Sequence, residues 1–140
     1  MRGLVAAVVT PMNEKGDLNV NLVPKVVDYL ATKGITGIYI AGSTGEGMSL
    51  TDEERREVAE AYVFAAKGRM KSFVQVGHNS LKASADLAGH AEAIGADAVS
   101  ATPTGYFKAS SEAELVEGLL PIAEAAPKTP FYYYHIPFLS

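Results

Sequence analysis

The chain has 140 residues, of which 48% are hydrophobic and 20% charged, and it carries a formal charge of −4. That length and apolar content allow one packed domain and exclude a disordered or low-complexity chain. The acidic balance argues against sequence-independent nucleic-acid binding, and the lack of any cysteine excludes a disulfide framework or a thiolate metal site.

Residues 4–9 form a short valine-rich run that ends at Thr10-Pro11, and 13–17 reads as a loop. From Leu22 the period changes: Val23, Val26, Val27 and Leu30 recur at i, i+3, i+4, i+7 and predict an amphipathic helix. Pro24 is tolerable only in its first turn, and Gly34 stops it. Residues 37–41 are a second buried run, followed by Gly42-Ser43-Thr44-Gly45-Glu46-Gly47. Thr51 with Glu54 makes a capping box, and the helix it opens runs to about Lys67. Residues 73–76 are the third run, closed by Gly77-His78-Asn79. A helix from about Leu81 to Ile94 follows, stopped by Gly95. Residues 98–101 are the fourth run, closed by Thr102-Pro103. Ser111 and Glu114 repeat the capping-box pattern, and Leu115, Leu119, Ile122 and Ala126 mark the next helical stripe. Residues 131–134 are the fifth run.

The order βαβαβαβαβ, with strands apolar throughout, predicts a parallel α/β sheet covered on both faces by helices. Two architectures fit. One is a five-stranded flavodoxin-like open sheet. The other is the first part of a (β/α) barrel, which takes about 250 residues when complete. Both place their sites at the C-terminal ends of the strands. A receiver-type regulator would need an aspartate closing the third strand, where Gly77-His78 stands. Residues 1–140 contain no linker or composition shift and read as one domain or a portion of one. No apolar run approaches the roughly 18 residues of a membrane span, and the N-terminus lacks the features of a signal peptide. A soluble, cytoplasmic chain is therefore expected.

The loop 42–47 is the most informative segment. Its three glycines allow close backbone approach and positive φ, and successive N–H groups in such a turn form an anion-binding nest. Ser43 and Thr44 add two hydroxyl donors, so a carboxylate or phosphate is the natural guest. Gly42 and Gly47 imitate a P-loop, but Met48 stands where the lysine belongs. The alternative is a plain glycine-rich turn. In the run Tyr132-Tyr133-Tyr134, alternation puts Tyr132 and Tyr134 on one face and Tyr133 on the other. A phenol there relays a proton if a neighbour tunes it; otherwise the rings are packing. His78 and His135 follow strands and His90 lies mid-helix, without metal-ligand spacing, so no metal is expected. Glu46 is a loop carboxylate, and residues 53–57 read as a solvated helix face.

The loop Gly42-Ser43-Thr44-Gly45-Glu46-Gly47, together with Tyr134-His135-Ile136-Pro137 after the fifth strand, resembles the N-acetylneuraminate lyase family. That family belongs to the pyruvate-dependent class I aldolases that include dihydrodipicolinate synthase. Thr10-Pro11 and Thr102-Pro103 fit the same pattern, and the resemblance covers the whole chain. Dihydrodipicolinate synthases typically carry an arginine shortly after the proline of the tyrosine motif. Here Pro137 is followed by Phe138-Leu139-Ser140, which is similar to the sialate lyases. The resemblance implies a TIM barrel, a homotetramer and no cofactor. It also implies reversible aldol cleavage of N-acetylneuraminate to pyruvate and N-acetylmannosamine through a Schiff base. Ser43 and Thr44 would hold the carboxylate of the pyruvate moiety, and Tyr134 would transfer the proton. Many relatives carry a tyrosine after the fourth-strand Thr-Pro that reaches a neighbouring subunit's site; Tyr106 is the candidate here.

The family's Schiff-base lysine closes a sixth strand. None of the eight lysines here (Lys15, Lys25, Lys33, Lys67, Lys71, Lys82, Lys108, Lys128) reads as closing a strand; all read as loop or helix-surface residues. The expectation is an incomplete half-barrel of about five strands and four helices, truncated before the sixth strand and inactive alone. Three alternatives stay open: another pyruvate aldolase of the superfamily, a non-catalytic half-barrel, and a flavodoxin-like binding module. A half-barrel would leave two strand edges and its inner face uncovered, and is expected to associate.

Overall fold

The computed structural model describes residues 3–106 and 108–136. The strands are β1 (Val5–Ala7), β2 (Gly37–Ile40), β3 (Lys71–Gln75), β4 (Ala98–Ala101) and β5 (Phe131–Tyr133). The helices are α1 (Val23–Thr32), α2 (Asp52–Ala66), α3 (Leu81–Ala93) and α4 (Glu112–Glu124), and they alternate with the strands.

Local chemistry sets the helix ends. Thr51 Oγ1 accepts from the Glu54 amide while the Glu54 carboxylate accepts from the Thr51 amide, a complete capping box at α2. At α4 only half of the expected box forms. Ser111 Oγ accepts from the Glu114 amide, but the Glu114 carboxylate accepts from the amide and hydroxyl of Ser110, each at 2.7 Å. Two donors on one residue outcompete the single Ser111 amide, and they hold the carboxyl below its ordinary pKa. Helices α1 and α3 both stop in a glycine Schellman turn. Gly34 (φ +72°) and Gly95 (φ +82°) supply the left-handed residue, and the next amide donates back to Leu30 and Ala91 respectively.

All neighbouring strands are parallel, in the order β1-β2-β3-β4-β5. That order corrects one sequence expectation. Parallel crossovers are right-handed, so four successive moves in one direction place every helix on the same face. The helices accordingly touch in series, α1 to α2, α2 to α3 and α3 to α4. The sheet is covered by helices on one face rather than two, and the flavodoxin order 2-1-3-4-5 is absent.

The helix-covered face holds the core. Ile38, Ile40, Val74, Val76 and Val99 pack against Val23, Val27, Val58, Tyr62, Leu87 and Ile122, all buried. The opposite face carries Ala7, Tyr39, Phe73, Ser100 and Tyr132, and it is concave. Strands β2 and β5 stand three spacings apart, about 14 Å in a flat sheet. Yet the rings of Tyr39 and Tyr134 meet with centroids 5.6 Å apart. Long side chains leaning inward across a curled sheet close that distance.

Candidate functional site

At the C-terminal end of the strands the concave face opens into a cavity of about 440 Å³. Ser43 and Thr44 from the loop after β2, and Tyr134 just past β5, all line it. Tyr134 lies where it does because its amide continues the ladder, donating to the Ala101 carbonyl at 2.9 Å. Alternation then turns it inward with Tyr132, whose ring meets Phe73 edge-on at 5.4 Å. The three residues singled out from the sequence therefore share one cavity.

The loop is shaped by its backbone. Ala41 takes φ +55° and Glu46 φ +53°, both in the left-handed region that non-glycine residues seldom adopt. The Gly47 amide donates to the Gly42 carbonyl (3.2 Å) and the Glu46 amide to the Ser43 carbonyl (3.1 Å), which closes the turn. Thr10 Oγ1 donates to the Gly45 carbonyl at 2.6 Å, so the turn is also fastened to the segment after β1. Once these bonds are made, the amides of Ser43, Thr44 and Gly45 and the hydroxyls of Ser43 and Thr44 have no partner among the described residues. Ser43 and Thr44 are exposed to the cavity. Successive amides and hydroxyls without partners, on residues that line a concave surface, are what an oxyanion site requires.

A residue that sequence reasoning passed over lies beneath them. The Tyr39 hydroxyl donates to Ser100 Oγ (3.1 Å), and Ser100 Oγ donates to the Tyr132 carbonyl (2.9 Å). Burial pushes the Tyr39 phenol above its ordinary pKa; the Ser100 bond partly offsets this and the neighbouring Tyr134 adds to it. The available signal was the position of Tyr39 in its strand, one residue before Ile40 and facing the opposite side.

Arg55 overturns a second expectation. It falls inside the 53–57 run read as solvated, yet it is 2% exposed. Its guanidinium donates to the carbonyls of Gly77 (3.0 Å) and Gln75 (2.9 Å) and to Gln75 Oε1 (2.7 Å), tying the first turn of α2 to the end of β3. Only a planar fork of donors can satisfy three oxygens so placed. Its Nε is buried without a partner, and burial pulls the group below its ordinary pKa, against the pull of Asp52.

The remaining candidates lie outside the cavity. Tyr106 is exposed, and its amide donates to Asn79 Oδ1 at 3.3 Å. Glu46 is exposed. His78 Nδ1 accepts from the Ser80 amide (2.8 Å), His90 Nε2 meets Glu60 (2.8 Å), and His135 Nδ1 meets the Tyr133 hydroxyl (3.3 Å). No cluster of three metal-ligating side chains occurs among the described residues. Lys71 is not a loop or helix residue as expected but opens β3, where its Nζ bonds Asp97 at 2.6 Å. It sits at the N-terminal end of the strand, opposite the cavity. Phe107, Pro137 and the Phe138-Leu139-Ser140 feature lie outside the described residues.

A sequence profile of the dihydrodipicolinate synthetase family matches residues 1–140, and the chain belongs to that family. It is 44% identical to rat N-acetylneuraminate lyase over all of its own length and 44% of the relative's. The structure of Proteus mirabilis N-acetylneuraminate lyase superposes with a TM-score of 0.95 at 36% identity, covering 99% of this chain and 47% of that one. A prophage protein of the dihydrodipicolinic acid synthase family from E. coli K12, in complex with pyruvate, superposes with a TM-score of 0.91 at 27% identity over 98% of this chain and 45% of its own. The chain thus spans about half the length of the relatives it matches, and its five parallel strands correspond to the N-terminal part of that family's (β/α) barrel.

Proposed function

We propose that this chain is the N-terminal portion of a class I pyruvate aldolase of the N-acetylneuraminate lyase type. The observation that carries the proposal is that Ser43 and Thr44, whose amides and hydroxyls have no partner among the described residues, line the same cavity as Tyr134. In this reading the loop holds the carboxylate of the pyruvate moiety. A lysine amine condenses with the adjacent ketone and releases water, leaving an iminium. The Tyr134 hydroxyl relays away the proton of the hydroxyl group on the carbon being released as the carbon–carbon bond breaks. The bonding electrons pass into the iminium, which becomes an enamine. The relayed proton then goes to the enamine carbon, restoring the iminium, and water hydrolyses it to pyruvate and the free amine, with Tyr134 back in its starting state.

The nucleophilic lysine is assigned to a sixth strand rather than to this segment. Lys71 is at the wrong end of its strand, and Lys108 lies in the loop after β4. A cytoplasmic homotetramer, with Tyr106 reaching a neighbouring subunit, belongs to the same proposal.

Borohydride trapping tests it. The 140-residue chain with pyruvate should give no specific adduct. Mixed with the C-terminal half of a relative such as the rat enzyme, it should give one adduct, on the added half, and sialate cleavage should appear if the pieces assemble. A stoichiometric adduct on one of the eight lysines here would overturn the assignment of the nucleophile. An assembled pair that traps pyruvate but leaves sialate intact would move the protein to another aldol acceptor.

A further inference from the structure

We propose that Tyr39 is a positioning residue that sets the spacing between the donor loop 42–47 and the Tyr134 phenol. The functional meaning of that spacing rests on the aldolase reading, whereas the coupling itself rests on contacts within the chain.

Tyr39 belongs to the same strand as the loop but reaches β4 and touches the residue beyond β5. Three contacts hold it. Its ring lies directly against the backbone of Gly42: a Cβ at that glycine would meet both Cδ1 and Cε1 at 2.8 Å. The Tyr134 ring meets it edge-on, at 5.6 Å and 75°. Its hydroxyl is tethered to Ser100 Oγ, which in turn donates to the carbonyl of Tyr132, two residues before Tyr134. The ring contact and the tether thus grip the same terminal segment, while Gly42 rests on the ring itself. Edge-on aromatic contact constrains distance and angle together. A shift of the ring therefore moves the loop and the phenol relative to one another. The Gly42 contact also explains why the loop opens with glycine at a position without positive φ.

The test uses the 140-residue chain with [13Cζ]tyrosine labelling and amide exchange resolved by residue. The informative amides are Glu46 and Gly47, whose bonds close the loop. In Tyr39→Leu, their exchange should accelerate at least tenfold and the Tyr134 Cζ resonance should move, while amides of α2 keep their wild-type rates. Tyr39→Phe keeps the ring and loses only the tether, so it should restore slow exchange at Glu46 and Gly47. Unchanged loop exchange in Tyr39→Leu would overturn the proposal, as would a failure of Tyr39→Phe to restore it. If Tyr39→Leu accelerates every amide alike, Tyr39→Phe and Ser100→Ala decide the matter. Both cut the same tether, so both should displace the Tyr134 resonance alike, and a displacement in neither would overturn the proposal. Pyruvate added to the wild-type chain addresses the aldolase reading separately. If it fails to perturb residues 43–45 while the Tyr39 coupling is intact, the substrate assignment fails and the positioning role stands.

Discussion

Gly47→Ala puts the shape of the donor loop under direct test. An added Cβ would stand 1.9 Å from the Ala41 carbonyl oxygen, 2.7 Å from its carbonyl carbon and 3.1 Å from its Cα. All three are backbone atoms, so no flexible side chain can swing aside. Contacts below 3.0 Å do not persist, and the loop must open by 3.0 − 1.9 = 1.1 Å or more. Ala41 cannot yield easily, because it is 2% exposed and already held at φ +55°. Overpacking of a buried site costs about 1–3 kcal/mol, and the rigidity here puts the cost at about 2–3 kcal/mol. For a domain of this size each kcal/mol is worth roughly 3–4 °C, so Tm should fall by roughly 6–12 °C. The displaced segment carries Ser43 and Thr44, so the affinity for pyruvate should fall as well. Thermal melts followed by circular dichroism, with pyruvate titrations observed by saturation-transfer NMR, measure both consequences. Gly105→Ala is the control: nothing lies within 4 Å of its added Cβ, and its Tm should not change appreciably. An unchanged Tm together with unchanged pyruvate binding in Gly47→Ala would refute the claim that this contact shapes the loop.

Gly118 lies inside α4 with open space around an added Cβ, so Gly118→Ala should stabilise the chain by about 1 kcal/mol, read from urea melts. Tyr62 is buried with its hydroxyl donating to the Val9 carbonyl (2.7 Å), and burial pushes the phenol up to about 12. A raised pKa favours the protonated folded state, so this stability is present below the ordinary value of about 10 and is lost as pH rises towards 12. Tyr62→Phe should cost about 1 kcal/mol at neutral pH and reduce the alkaline instability, measured as Tm against pH. For Asp97 burial alone would raise the pKa, but its bonds to Lys71 and Ser72 outweigh burial and leave the carboxyl below its ordinary value. Its contribution is therefore present above about pH 3.9 and lost as acid takes the pH through the lower native value. Asp97→Asn should destabilise the chain at neutral pH, and its difference from wild type should shrink in acid.

The alternation of elements was legible because each helix carries its own stop and start. Gly34 and Gly95 close α1 and α3, and Thr51 with Glu54 opens α2. The choice of architecture was not legible from periodicity. Val74 and Phe73 are both apolar, yet one faces the helices and the other the concave side, and composition does not distinguish them. Strand order carried that information, and it depends on pairings between segments remote in sequence. Among site residues, Ser43, Thr44 and Tyr134 were visible through the glycine loop and the tyrosine run. Tyr39 and Ser100 were not, since each is an ordinary strand residue until the sheet curls and brings β2 and β4 within reach of one hydroxyl. Arg55 departs from its sequence pattern because charge near a helix N-terminus usually means solvent. Only the carbonyls left open at the end of β3 reverse that preference.

These cases share a cause, and it bears on where the chemistry of the site resides. The loop is held by backbone-level constraints from three directions. Thr10 pins the Gly45 carbonyl, the ring of Tyr39 lies under Gly42, and Gly47 passes against Ala41 at a distance no other residue permits. Every one of these contacts uses a hydrogen where another residue would have a side chain, or a carbonyl turned away from the cavity. What those contacts leave unused are the amides of Ser43, Thr44 and Gly45 and the hydroxyls of Ser43 and Thr44, the two residues of the loop that line the cavity. Preorganised donors need no rearrangement when an anion arrives, which is the condition under which hydrogen bonds to charge are strongest. The glycines therefore act by geometry rather than by flexibility. Replacing them should stiffen nothing; it should displace the donors. The strain stored at Ala41 and Glu46 is consistent with that role, since left-handed backbone at non-glycine positions persists only where surrounding contacts over-determine it.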